Sequence, residues 1–306
     1  MSVDPEIQAA RLLQASHAPP GFDITRLDTV EARTGLNRLA MVFSDPGAVV
    51  DRVETLSVPG PGGPIRVRLY HPVPEAAGVI LFVHGGGWFA CDVDTHDPIM
   101  RRLALASGRV VIGFDYRLAP EHPFPAALED VKAIWDWALE LGMGVPALAG
   151  DSAGANLVLA LMLSERDVGR VLPPAAALAY GCYTPDLDTS SQRRFGDGSY
   201  GLSTVRMAWY WRRYLGALSD APPVLAAPLG ADLRCLPPCF LGIAECDVLA
   251  DENRMMAERM REAGVKVETV TWPGATHGFL QMTAHAGLAR RAIRDLARGL
   301  RNPVAS

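Results

Sequence analysis

From residue 79 onward the chain alternates short, unbroken apolar runs with amphipathic stretches of helical length, and this alternation constrains the fold more than any other feature. The apolar runs are Val79-Ile80-Leu81-Phe82-Val83, Val110-Val111-Ile112-Gly113-Phe114, and residues 146–149, 175–180, 240–244 and 265–271. A strand that is apolar at every position is buried on both faces, which implies a mostly parallel sheet covered by helices. Residues 99–107, 126–141, 153–165, 251–263 and 283–300 have the helical pattern that such covers need. The sequence therefore predicts an α/β fold with helices on both faces of the sheet. Residues 53–73 read differently. Two strand-like runs flank Pro59-Gly60-Pro61-Gly62-Gly63, which predicts an antiparallel hairpin at the sheet edge.

Two segments stand outside the alternation. Residues 1–48 are helical in pattern and precede the sheet. Residues 184–222 separate two strands by far more than an ordinary loop and end in the aromatic run Met207-Ala208-Trp209-Tyr210-Trp211. Insertions of this length are commonly lids or binding elements. The two segments are expected to pack together as a cap on a catalytic domain spanning residues 49–306.

The formal net charge is −5, with no basic stripe, so nucleic acid is not expected as a partner. No apolar run reaches the ~18 residues of a membrane span. Nearly all cations are arginine, only Lys132 and Lys266 being lysine, which reads as compositional bias. Five scattered cysteines, an odd number, fit free thiols in the cytoplasm better than a disulfide frame. Cys235 and Cys239 have no second ligand pair nearby, so no metal site is expected.

Gly150-Asp151-Ser152-Ala153-Gly154 fits G-x-S-x-G, with a strand-like run before it and good helix formers after it. A strand-to-helix turn of this kind strains its central residue and lifts Ser152 above the carboxyl end of the sheet. The free N–H groups of the following helix point at the same place, where they suit a developing oxyanion. His84-Gly85-Gly86-Gly87-Trp88 follows directly on the strand 79–83. Three consecutive glycines let backbone N–H groups approach a ligand closely. No Lys-Ser/Thr follows and no G-x-G-x-x-G spacing appears, so a phosphate loop does not fit. Gly85, Gly86, Gly87 and Ala153 are thus candidate oxyanion donors. Losing one such donor typically costs on the order of 3 kcal/mol of transition-state stabilisation.

Of seven histidines, His277 lies in Gly274-Ala275-Thr276-His277-Gly278-Phe279, between the last strand and the final helix. His285 reads as a surface residue. Asp247 stands three residues beyond the run 240–244, where a carboxylate reaches a neighbouring loop; Glu245 is the rival acid. Asp251 and Glu252 read as first-turn helix residues. The order Ser152, Asp247, His277 is the nucleophile–acid–base order of one hydrolase fold. His84 reads as structural, His96 as a brace for the glycine loop, and Arg117 with Glu121 as an ion pair or loop brace.

These motifs together resemble the hormone-sensitive-lipase-like esterases, bacterial family IV of the α/β-hydrolase fold. The matching residues are His84-Gly85-Gly86-Gly87, Asp115-Tyr116-Arg117-Leu118-Ala119-Pro120-Glu121, Gly150-Asp151-Ser152-Ala153-Gly154 with Asn156, Asp247-Val248-Leu249 with Asp251-Glu252, and His277-Gly278-Phe279. They span about residues 55–290. Val248, where proline is usual, and Ala155, where glycine is common, depart from the pattern. The resemblance implies hydrolysis of short- to medium-chain carboxylic esters, a helical N-terminal cap, donation by Gly86 and Gly87 with Ala153, no cofactor, and members that often form homodimers. An amidase or formamidase on the same triad is the alternative. A non-catalytic small-molecule binder is disfavoured because His277 is present. The candidate pocket residues are Trp88, Phe89, Tyr183, Met207, Trp211, Phe279 and Leu280; each could equally be core. Only one of Trp209 and Trp211 is expected to face the site, because i and i+2 lie on different helix faces.

Overall fold

The computed structural model describes residues 2–44, 48–76 and 78–301. Its centre is one eight-stranded sheet. In chain order the strands are β1 (Arg52–Gly60), β2 (Gly63–His71), β3 (Val79–Val83), β4 (Val110–Phe114), β5 (Ala147–Asp151), β6 (Ala176–Ala179), β7 (Cys239–Cys246) and β8 (Val267–Thr276). Across the sheet they run β1-β2-β4-β3-β5-β6-β7-β8. The expected edge hairpin is β1–β2, and β2 also pairs antiparallel with β4; every other pairing is parallel.

Every residue of β3, β4, β5 and β6 is buried. A buried aliphatic or aromatic side chain contributes about 1.5–3 kcal/mol relative to exposure, so these inner strands anchor the fold. Helices α3 (Asp97–Ser107) and α9 (Gly287–Arg301) pack against each other on one face. On the other, α4 (Ala126–Glu140) packs on α5 (Ala153–Asp167), and α8 (Ala250–Glu262) covers β7. Two apolar cores follow, one per face. Leu81, Leu148, Leu157 and Trp135 belong to the first, and Ile80, Phe82, Leu103 and Ile293 to the second. β6 is Ala-Ala-Leu-Ala, and both α5 and α9 contact it. Small side chains there let two helices approach the sheet closely.

The boundaries moved most around β8 and α9. β8 continues to Thr276, five residues beyond the predicted run, because Gly274 N–H donates to Glu245 Oε2 at 2.8 Å and Thr276 stays in register with Cys246. The final helix begins at Gly287 rather than 283, and exposed His285 sits in the turn before it.

Residues preceding the sheet form α1 (Pro5–Ser16) and α2 (Thr29–Ala40), with a short 3-10 turn at Met41–Phe43. Asp4 caps α1 by accepting from Glu6 N–H and Ile7 N–H, and Asp28 caps α2 through Glu31 N–H. The long insertion contains α6 (Ser190–Phe195) and α7 (Thr204–Leu215), capped by Thr189 and Ser203. Of the predicted segments, residues 1, 45–47, 77 and 302–306 lie outside the described residues.

Candidate active site

Ser152 sits between the last residue of β5 and the first of α5, with φ 52° and ψ −121°. Non-glycine residues avoid that region, and it persists because the surroundings leave no alternative. A Cβ on Gly154 would meet Val83 O at 2.0 Å, and one on Gly150 would meet Gly154 C at 2.7 Å. The two flanking glycines are therefore required by packing, and they let the turn press against the end of β3.

The Ser152 hydroxyl lies 2.8 Å from His277 Nε2. On the far side of the ring, His277 Nδ1 is 2.7 Å from Asp247 Oδ2. Asp247 is 2 % exposed, and its other oxygen accepts from Leu249 N–H at 3.1 Å. The carboxylate is thereby fixed, and Nδ1 is the nitrogen that carries the proton. The rival acid, Glu245, is turned to Gly274 N–H instead. Tyr180 lies edge-on to the imidazole, with ring centroids 5.0 Å apart.

The glycine loop lies beside Ser152. Gly86 and Gly87 take φ +117° and +64°, values that favour glycine. A Cβ on Gly86 would stand 2.1 Å from Ala90 O, and one on Gly87 2.5 Å from the Tyr210 ring. Among the described residues no backbone carbonyl takes the N–H of Gly86, Gly87 or Ala153. Gly85 differs from its two neighbours: its N–H donates to Asp151 Oδ1 at 2.9 Å, so it is not free for a ligand.

Beneath the loop is a buried polar layer. His96 Nε2 is 3.3 Å from Asp151 Oδ1, and Tyr180 OH donates toward Asp151 Oδ2. Burial alone would raise the Asp151 carboxyl; the His96 charge and hydrogen bond, Gly85 N–H and His84 outweigh it and hold the group below its ordinary range. His84 Nδ1 donates to Gly85 O at 2.7 Å, and the ring stacks on Tyr116. Burial, then the neighbouring His96, pulls His84 down to about 4. His84 and His96 thus support the loop, and neither contacts Ser152.

Arg117 and Glu121 do not pair with each other. Arg117 binds Asp130 and Glu129 on α4, whereas Glu121 takes Arg33 of α2. Their residue spacing suggested a local pair; distant elements supplied closer partners. Arg33 also donates to Phe89 O and Ala119 O, and Asn37 Oδ1 accepts from Cys91 N–H. Helix α2 is thereby fastened to the glycine loop. Asn156 fixes the start of α5 by donating to Cys182 O and Ala226 O. Asp251 and Glu252 do lie in the first turn of α8, but Glu252 is buried and accepts from Tyr183 N–H, and burial pushes its carboxyl well up.

A cavity of about 200 Å³ opens above Ser152. Of the seven predicted lining residues, Trp88 and Met207 border it. Phe89, Tyr183, Trp211, Phe279 and Leu280 are packed in the interior. Trp211 and Tyr214 lie against Trp88, Trp209 against Phe89, and Phe279 against Trp272. Neither Trp209 nor Trp211 faces the cavity; Arg206, Met207 and Tyr210 of the same helix do. Arg11 and Gln14 of α1, Leu202, Cys91, Cys182 and Gln281 complete much of the wall, and sequence reasoning missed all six. The spacing of α7 gave one usable signal, since Arg206 and Tyr210 are one turn apart and share a face.

Comparison with known proteins agrees with this architecture. Residues 80–281 match a family described by the α/β-hydrolase fold. An acetyl esterase of Salmonella schwarzengrund is 36% identical over 255 residues, covering 80% of this chain and 78% of that one. The carboxylic ester hydrolase LipN of Mycobacterium tuberculosis is 35% identical over 289 residues, covering 90% and 76%. Among solved structures, a hyperthermophilic esterase from Pyrobaculum calidifontis superposes with a TM-score of 0.91 at 33% identity, covering 98% of each chain. No helix among the described residues is long and apolar enough to cross a membrane. A strained serine between strand and helix, a glycine loop on the neighbouring strand and relatives of this similarity place the chain in the hormone-sensitive-lipase-like family of α/β-hydrolases.

Proposed function

We propose that the protein is a serine carboxylesterase in which Ser152 is the nucleophile, His277 the general base and acid, and Asp247 the residue that orients and stabilises the imidazole. The observation that carries this reading is the continuous line Ser152 Oγ–His277–Asp247, with contacts of 2.8 and 2.7 Å. Ser152 Oγ attacks the ester carbonyl as His277 Nε2 takes its proton. The oxyanion is received by the N–H groups of Gly86, Gly87 and Ala153, aided by the N-terminal dipole of α5. His277 then protonates the departing alcohol. A water, deprotonated by the same nitrogen, attacks the acyl-enzyme and releases the acid.

The small cavity supports short acyl chains. The curated relatives named for acetyl and carboxylic esters support an ester over an amide. Residues 1–48 and 184–222 act as the cap. Arg11 Nη2 donates to Ser199 O across 188 positions, joining the two segments over the serine. All five cysteines are free, which supports a reducing compartment, the cytoplasm.

The test is Ser152→Ala assayed on p-nitrophenyl acetate. A loss of about 10⁴-fold or more in kcat, with an unchanged melting temperature, is expected. Turnover at the wild-type rate would remove the proposal. Labelling of the wild type, but not of this variant, by a fluorophosphonate is the direct check on the nucleophile.

A further inference from the structure

The wall of the cavity facing Ser152 is not the apolar, aromatic surface that residues 207–211 suggested. Two arginines border it, Arg11 on α1 and Arg206 on α7, together with the side-chain amides of Gln14 and Gln281. Several other half-buried guanidiniums meet carboxylates: Arg33 meets Glu121, Arg66 meets Asp94 and Asp115, Arg68 meets Asp94, and Arg117 meets Asp130. Arg109, Arg213 and Arg290 are half-buried against carbonyls or a ring instead, but none of them borders the cavity, as Arg11 and Arg206 do. Among the described residues neither has a carboxylate oxygen within 4.0 Å.

What the two side chains do contact is neutral. Arg11 donates to Ser199 O at 2.6 Å and to Gln8 Oε1 at 3.3 Å. Arg206 reaches Gly201 O at 3.5 Å and hydrogen-bonds Tyr210, while its Nε is buried with no acceptor. Asp23 feels the charge of Arg206 but makes no ion pair with it, its carboxylate being held by Thr25 and Arg26. Burial pulls Arg11 below its ordinary value; only the Cys246 thiol and the Tyr200 phenol oppose that. Taking charge out of water without a counter-charge is costly, and an anion in the cavity would offset that cost. Asp151 also borders the cavity, but its Oδ1 is engaged by His96 Nε2 and Gly85 N–H and its Oδ2 by Tyr180 OH.

We propose that Arg11 and Arg206 are specificity residues for esters that carry a carboxylate close to the scissile bond. This rests on the esterase reading above. The anion enters between α1 and α7, and the guanidinium forks hold it while the ester carbonyl lies over Ser152. The chain as a whole is at net charge −5, so the preference arises inside the cavity and not from long-range attraction. The bland alternative is that the two arginines only brace the backbone at Ser199 and Gly201. The two readings differ in what happens to substrate discrimination.

The experiment compares matched esters on the full-length enzyme. For a charge on the acid side the pair is monoethyl succinate and ethyl levulinate, which differ by a carboxylate oxygen and a methyl group. For a charge on the alcohol side the pair is acetoxyacetate and acetoxyacetone. The readout is the anionic-to-neutral ratio of kcat/KM in wild type, Arg11→Gln, Arg206→Gln and Arg206→Lys, each checked by near-UV circular dichroism. In one pair or the other, each glutamine variant lowers the ratio about tenfold, and the lysine variant retains most of it. Ratios that move less than about twofold in both glutamine variants, in both pairs, overturn the proposal. Where a glutamine variant does not fold, the wild-type enzyme decides: an anionic-to-neutral ratio below one in both pairs overturns the proposal. Hydrolysis of p-nitrophenyl acetate by wild type is the separate control: its absence would refute the esterase reading, whereas normal turnover with unmoved ratios refutes only the role of the arginines.

Discussion

The floor and the roof of the cavity are built on different plans. The floor consists of turns at the ends of four strands, β3, β5, β7 and β8, which lie side by side except for β6 between β5 and β7, and each candidate group stands within a few residues of its strand end. Close backbone contacts brace parts of it further, as where Gly154 packs on Val83 O and Gly86 on Ala90 O. The roof is two helical segments nearly two hundred positions apart, joined to each other and to the floor by side-chain hydrogen bonds such as Arg11 to Ser199 O and Arg33 to Phe89 O. In the function proposed above, chemistry, which needs sub-ångström placement, falls to the floor, and selection among substrates, which tolerates a looser frame, falls to the roof.

The strongest way to break this contrast is Gly86→Ala. The new Cβ would stand 2.1 Å from a backbone oxygen at a φ of +117°, so the loop must move. A fall of about 10²–10³-fold in kcat is expected, the scale of one lost oxyanion donor. Activity within about threefold of wild type would mean that the floor is not rigid.

A second test concerns acid. His84 is neutral in the fold down to about 4, while an unfolded chain takes up that proton near the ordinary histidine value of about 6.5. Stability from this group is therefore complete above about pH 6.5 and declines as pH falls toward about 4. Melting temperature should drop over that window, and His84→Gln should flatten the slope by about one proton. Equal slopes would show that the buried imidazole is not the source.

The smallest effect belongs to the fastening of roof to floor. The Glu121 side chain is 46% exposed where it meets Arg33. Glu121→Ala should cost at most about 1 kcal/mol in a urea melt, as exposed pairs do. A loss several times larger would place part of the floor's rigidity in this contact and blur the distinction.

The same contrast explains what the sequence revealed. Ser152, the glycine loop, Asp247 and His277 each occupy a strand end, so local pattern and chain order located them. The strand end falls between Glu245 and Asp247, and that boundary is what tells the two carboxylates apart. Gly85 was misjudged as a donor because its partner, Asp151, lies 66 positions away. The cavity wall was mostly missed for the same reason. Phe89, Tyr183 and Phe279 are aromatic residues near the motifs, but aromatic bulk drives them into the interior. Arg11 and Arg206 were lost in an arginine-rich composition, and nothing local tells a guanidinium that faces a cavity from one that faces a carboxylate.

The contact between Asp4 N–H and Gly274 O has a consequence for biosynthesis. At translation rates of about 5–20 residues per second, the first helix waits on the order of tens of seconds for the segment on which it docks. During that interval its apolar stripe, which includes Ile7 and Ala10, has no native surface to cover it. A ribosome-bound intermediate holding β1 to β6 would lack the last two of the eight strands and have its first helix still waiting, the stage at which a chaperone would find most to hold.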